Sequence, residues 1–424
     1  MPRAPTRTRC ACSVASRRSP NRPASRVRRS RSAPRGSDGP GSDGRHADAT
    51  WTRCLPWAGR RRFAAVAGCV PCYDVAQVTH PDLTPRFRGC LLGGAVGDAL
   101  GAAVEFMRLP EIQSRFGAAG TQDYAEVYGR RGAITDDTQM TLFTAEGLIR
   151  CRAARARGVA LDPVEALHRA YLRWLHTQAQ RSASPNYDDA LDGWLIRVPA
   201  LHSQRAPGNT CLSALTLAQA GSVQYPINDS KGCGGVMRVA PVGLLGERPF
   251  EIGCQACAIT HGHPAGYLAG GAFAALIAYV TGGTPIAQAV ARVRDELGAV
   301  LGGEVGAAID AAMLAAARAP RGPHTVESLG GGWIAEEALA IAIYCALSAR
   351  DFSDGVLLAV NHGGDSDSTG SLVGNILGAA WGVDAIPRPW LDQLELAEEI
   401  TCVADDLLAA HLGAPLDEAR YPPR

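Results

Sequence analysis

Apolar residues recur along this chain at helical spacing, and the two-residue alternation of strands is nearly absent. The pattern starts near Pro85, in the run Arg-Phe-Arg-Gly-Cys-Leu-Leu-Gly-Gly-Ala-Val-Gly-Asp-Ala-Leu-Gly. Helical patterns follow at 138–157 and 162–180, with a shorter one over 210–220 that ends at Gly221. Val239–Leu245 reads as a helix fed by a glycine-rich loop. Further helices are expected at 265–281, 285–300, 303–318, 333–350 and 353–361. A small-residue segment, Leu372–Trp381, and an amphipathic helix from Pro389 to about Leu412 complete the set. The sequence therefore predicts an all-α fold, one compact domain over residues 85–412, with 413–424 as a C-terminal tail.

Residues 1–84 show no such periodicity and are expected to be an Arg/Pro/Ser-rich disordered tail, apart from a short apolar patch at Phe63–Val75. Eleven arginines fall within residues 1–35 and the first acid is Asp38, so the net charge of +1 hides a mildly acidic remainder. That remainder shows no basic surface of the kind nucleic acid needs. The start of the chain resembles a transit peptide in composition, yet it lacks an apolar run long enough for a signal peptide. Ala265–Val280 is too short and glycine-broken for a membrane span and reads as core. Thirteen cysteines without a regular framework point to a reducing cytoplasm. Cys69/Cys72 and Cys254/Cys257 have Cys-x-x-Cys spacing, and His261 and His263 follow the second pair. Cys254 and Cys257, however, sit in a segment that reads as a buried helix, where cysteine acts as a small apolar residue. A single lysine, Lys231, stands against 41 arginines, a bias typical of GC-rich bacterial coding.

The candidate chemistry centres on Asn361-His362-Gly363-Gly364-Asp365-Ser366-Asp367-Ser368. Carboxylates at i and i+2 converge on a turn, and the two preceding glycines allow it to be tight. Such an oxygen-rich turn suits magnesium, calcium or manganese, although an Asp before a helix also serves as an ordinary N-cap. Ile134-Thr135-Asp136-Asp137-Thr138 repeats the same chemistry at the start of a second helix. If the two turns face each other, four carboxylates share one cavity, and bound cations are the simplest relief of their repulsion. Gly89, Gly93, Gly97 and Gly101 form a stripe down one helix. At about 1 kcal/mol per glycine relative to alanine, that stripe implies a close neighbour. Asp98 and Glu105 lie seven apart at its far end, a spacing that puts them on a similar helical face. The loop Ile227–Arg238 is rich enough in glycine to present backbone amides to a phosphate.

Five of these stretches together resemble the ADP-ribosylglycohydrolase family. They are the 89–101 glycine helix, Thr135-Asp136-Asp137-Thr138, Gly232-Cys-Gly-Gly-Val-Met-Arg238, Thr260-His261 and Gly363-Gly-Asp-Ser-Asp-Ser368, and the resemblance runs from about Arg86 to about Ala410. It implies an all-α domain around two magnesium ions, with manganese as an alternative. The implied ligands are Thr135, Asp136 and Asp137, with Asp365, Asp367 and Ser368 opposite. Glu105, Asp365 and Asp367 would be catalytic. Asp98, Ser230, Gly232, Cys233, Gly234, Gly235, Met237 and His261 would bind substrate; at Cys233 some relatives carry Asn. The implied substrate is an ADP-ribosylated protein or a small ADP-ribosyl conjugate. Alternatives are hydrolysis of another nucleoside-diphosphate-ribose or N-glycoside, or a non-catalytic crystallin-like binder.

Overall fold

The computed structural model describes residues 82–300 and 303–422. The expected tail up to residue 81, with Phe63–Val75 and the Cys69/Cys72 pair, lies outside the described residues. Among the described residues the secondary structure is seventeen α-helices and four 3-10 turns, with isolated bridges at Val127/Arg130 and Gly232/Ile334 in place of any strand.

Two antiparallel helices organise the domain. Thr84–Gly101 and Ser366–Trp381 are buried along most of their lengths. A Cβ added at Gly89, Gly93, Gly97 or Gly101 would land on the backbone of Gly378, Gly374, Gly370 or Ser366 respectively. The pairing is reciprocal, since a Cβ at Gly370, Gly374 or Gly378 would strike Gly97, Gly93 or Gly89. The glycine stripe is thus an interface where two backbones touch, and van der Waals contact along it offsets the helix-propensity cost.

The apolar Pro264–Thr281 helix, which by composition is long enough to cross a membrane, packs inside the domain against the Pro249–Ala258 and Ala335–Ser348 helices. Cys254 and Cys257 are buried in the Pro249–Ala258 helix, as expected of small apolar side chains.

Three helices and the C-terminal segment depart most from the expected pattern. The Ser366–Trp381 helix begins six residues before the expected Leu372, so Asp365 is its N-cap and Asp367 lies in its first turn. The 210–220 helix is only Asn209–Leu215, because the chain then turns to donate Gly221 N–H to Ile259 C=O. The expected helix from Pro389 is two helices, Arg388–Gln393 and Ala397–Leu412, broken where Leu396 takes φ 59°. That break turns Glu395 inward, where it pairs with Arg205 at 3.3 Å and accepts the Ile134 N–H at 3.1 Å. Beyond Leu412 the chain folds back rather than trailing off: Tyr421 is fully buried and its hydroxyl donates to Asp406 at 2.8 Å.

The glycine interface should tolerate no side chain. Gly97→Val is expected to destabilise the domain by about 1–3 kcal/mol or more, read as a lower denaturant midpoint. An unchanged midpoint would mean that the helices separate without cost.

Candidate active site

The glycine contact sets the site because the helices are antiparallel. The end of Thr84–Gly101 meets the start of Ser366–Trp381, since Gly101 packs on Ser366. Glu105, in the turn just past the first helix, therefore falls beside Asp365 and Asp367. It lies outside the helix, so its seven-residue spacing from Asp98 does not put the two on one face.

Asp98 has a different job from the substrate contact expected of it. It is fully buried, and its carboxylate accepts from Thr135 N–H at 3.0 Å and from Thr138 N–H at 3.2 Å, besides the Thr138 hydroxyl. It anchors the turn that starts the Asp136–Ala156 helix. From the other side, Glu395 accepts Ile134 N–H, and Arg205 C=O accepts Asp136 N–H at 3.2 Å. Thr135 is the N-cap, its hydroxyl accepting Asp137 N–H at 3.3 Å. Asp136 and Asp137 are thereby presented from the first turn of a 21-residue helix. There, as at Asp367, the positive end of the helix dipole favours carboxylates.

Asp365 makes no side-chain capping bond although it occupies the N-cap position. The ordinary capping role is thus unfilled, and its carboxylate faces Asp367 and Glu105. One oxygen from each of Glu105, Asp365 and Asp367 lies within 4.8 Å of the others. Among the described residues this is the group whose ligand atoms converge as a metal site requires. Glu105 Oε2 and Asp137 Oδ1 are buried without any hydrogen-bond partner. Buried acceptors are normally paired, so two orphans in one acidic cluster fit a cation.

The electrostatics agree. Burial first, and then the charge of Asp367, push Asp98 up to about 7 and Glu105 up to about 11. The same two causes raise Asp136, Asp137 and Asp365 well above the usual carboxylate range, and burial raises Asp367 itself.

A cavity of about 610 Å³ opens over this cluster, a size usual for small-molecule sites, which span about 300–1,000 Å³. Glu105, Asp136, Asp137, Asp365, Asp367 and Ser368 line it together with Gly232, Cys233, Gly234, Met237 and His261. A larger, mostly apolar groove lined by Phe250, Tyr279 and His411 carries no such acidic cluster. Two expected substrate contacts are placed differently. Gly235 packs against Cys257 beneath the loop, and Ser230 pairs with the Thr210 hydroxyl at 3.1 Å, at the edge. His261 is buried and held through Thr260, whose hydroxyl lies 2.8 Å from Nδ1 and accepts from Arg238 at 2.7 Å. Burial, and then the Arg238 charge, lower its pKa to about 3, so it is a neutral ring with one N–H to give.

Three contributors escaped the sequence reading. Ala206–Leu212 forms part of the wall, and Phe106 and Trp333 stack at its mouth with ring centroids 5.8 Å apart. Phe106 is 72% exposed and Trp333 45%, an unusual display of aromatic surface. The only local signal for Trp333 is the Gly330-Gly331-Gly332 run before it.

Raised carboxylate pKa values have a definite sign. Such a group holds its proton in the folded state after the unfolded chain has lost it, so stability falls as pH rises above about 4 toward the folded value. With chelator present, the melting temperature should therefore fall between about pH 5 and about pH 8. Divalent cation should restore more at the higher pH, and Asp367→Asn should flatten the slope. A chelated protein whose melting temperature rises over that window, with the same slope in Asp367→Asn, would contradict the charge-crowding account.

Comparisons with known proteins place the chain. A family model described as ADP-ribosylglycohydrolase matches residues 79–415. The ADP-ribosyl-[dinitrogen reductase] glycohydrolase of Rhodospirillum rubrum is 28% identical over 347 residues, covering 78% of this chain and 98% of that protein. The ADP-ribosylarginine hydrolase Tri1 of Serratia proteamaculans is 25% identical over 342 residues, covering 78% and 82%. A solved structure described as an ADP-ribosylglycohydrolase-related protein complex aligns with a TM-score of 0.54 at 26% identity, covering 78% of this chain and 99% of that one. The chain belongs to the ADP-ribosylglycohydrolase family.

Proposed function

We propose that this chain is a divalent-metal-dependent hydrolase that cleaves the glycosidic bond between ADP-ribose and a protein side chain or small conjugate. One observation carries the reading: five buried carboxylates, two with orphaned oxygens, line one cavity together with a glycine loop and a neutral histidine. Two relatives support the substrate class, since their names specify ADP-ribosylated dinitrogen reductase and ADP-ribosylarginine.

The acidic donors are carboxylate and hydroxyl oxygens, a set that fits magnesium or manganese. Thr135, Asp136 and Asp137 would hold one ion, and Asp365, Asp367 and Ser368 a second. Bound there, such ions supply charge neutralisation and a lowered pKa for water.

The chain's own residues do the rest. Gly232 and Gly234 let the backbone come close to a diphosphate, because neither carries a Cβ on the cavity wall. A Cβ at Gly234 would press on Cys211 Sγ at 2.7 Å and His261 at 3.1 Å. His261 offers one uncharged N–H donor there. Glu105, with Oε2 unpaired, would be ionised once bound cations offset the neighbouring charges that raise it, and is placed to take a proton from water attacking the ribose C1 and return it to the departing group. Carboxylates around C1 also stabilise the oxocarbenium character of that transition state.

Titrating ADP-ribose into the protein calorimetrically should give binding with magnesium that is lost with chelator. Asp365→Ala should abolish both turnover and the magnesium-dependent rise in melting temperature; retained turnover would sink the assignment. Glu105→Gln should lose about 10²-fold or more in turnover while ADP-ribose affinity stays within a few-fold. Parallel loss of affinity would make Glu105 structural instead.

A further inference from the structure

Cys233 brings a sulfur into a centre whose other donors are oxygen. Its thiol donates to Asp365 Oδ2, with Sγ 2.7 Å away. Backbone geometry builds this approach, because the stretch Gly331–Ile334 holds both residues. Asp365 N–H donates to Gly331 C=O at 2.8 Å, Cys233 N–H donates to Trp333 C=O at 3.1 Å, and Gly232 bridges to Ile334. Cys233 is half-buried on the cavity wall, open to an entering ion. Glu105 Oε2 and Asp137 Oδ1, on side chains only 6% and 2% exposed, stand unpartnered in the same cavity.

We propose that Cys233 makes this centre a mixed sulfur–oxygen site that captures thiophilic divalent ions, zinc or cadmium, at the Asp365 position. The inference rests on Asp365 being a metal ligand. Thiolate sulfur prefers zinc and cadmium to magnesium, so the sulfur discriminates among ions that an all-oxygen site treats more alike. With zinc–sulfur near 2.3 Å and zinc–oxygen near 2.1 Å, a tetrahedral ion sets sulfur and oxygen about 3.6 Å apart. The thiol reaches that separation by swinging outward ~0.9 Å. On capture the S–H bond breaks heterolytically, a sulfur–metal bond forms, the proton leaves to solvent, and no electrons are exchanged. Cys211 lines the same cavity, but its sulfur lies 3.5 Å from the Arg238 guanidinium, whose charge opposes a cation there. Zinc-class ions then displace magnesium and inhibit hydrolysis until chelated.

The test uses the full chain, stripped of metal, as wild type and C233S. Each is titrated with cadmium while the ultraviolet sulfur-to-metal charge-transfer absorption is followed, and with magnesium by calorimetry. The twelve other cysteines contribute equally to both proteins, so the difference is the reading. The expected result is one cadmium–thiolate step present in wild type and missing in C233S. Cadmium affinity at that step should fall about 10–100-fold, with magnesium affinity within a few-fold. Identical cadmium spectra in two proteins that both bind magnesium would overturn the sulfur ligand and leave the metal centre standing. Failure of wild type to bind magnesium at all would overturn the metal-centre reading, and this inference with it.

Discussion

Eight residues decide where the acidic cluster forms: Gly89, Gly93, Gly97 and Gly101 on one helix, and Ser366, Gly370, Gly374 and Gly378 on its antiparallel partner. Where they meet, backbone lies on backbone, closer than side chains would permit. Because contact is made at every turn, the register of one helix on the other is fixed along its length. The far end of that register delivers Glu105 next to Asp365 and Asp367. A slip of one turn would carry Glu105 about 5.4 Å along the axis, out of reach of a shared ion. The glycines thus serve chemistry through packing, without touching a ligand.

What the scaffold assembles is electrostatically costly. Burial raises every carboxylate in the cluster, the Asp367 charge adds to it for the others, and no arginine or lysine within the cluster offsets them. Lys231 pairs outward with Glu304 and Glu336, while Arg205 is committed to Glu395. Positive character comes instead from two helix N-termini, which carry partial charge and remain in place when a cation leaves or enters. A cluster left without a cationic side chain is one that a divalent ion can bind without displacing a salt bridge.

A layer of buried polar residues holds the acidic turns in place. Asp98 and Glu395 approach the Thr135 turn from opposite sides and take its backbone N–H groups. Gly331 fixes Asp365 through its carbonyl, and Glu337 in turn accepts the Gly331 N–H at 2.9 Å. Except for the Glu337–Gly331 contact, these bonds join segments far apart in sequence, and each helps to position an acidic turn.

The sequence by itself determined the helical class, most helix positions and the acidic turns, because these depend on local periodicity and on residue types within a few positions of each other. The oxygen-rich motif at Asp365 and its counterpart at Asp136 were legible for the same reason. Tertiary structure decided the rest. Asp98 looks like any acid near a helix end, and only the folded chain shows both its oxygens spent on a turn some forty residues later. A periodic pattern could not reveal that Leu396 breaks the last helix, since the pull on Glu395 comes from Arg205 and Ile134. Likewise, Phe106 and Trp333 become a stacked pair at the cavity mouth only when two remote loops meet. Local pattern specifies which elements form; which side chains end up facing one another depends on long-range packing, and the site is made of those encounters.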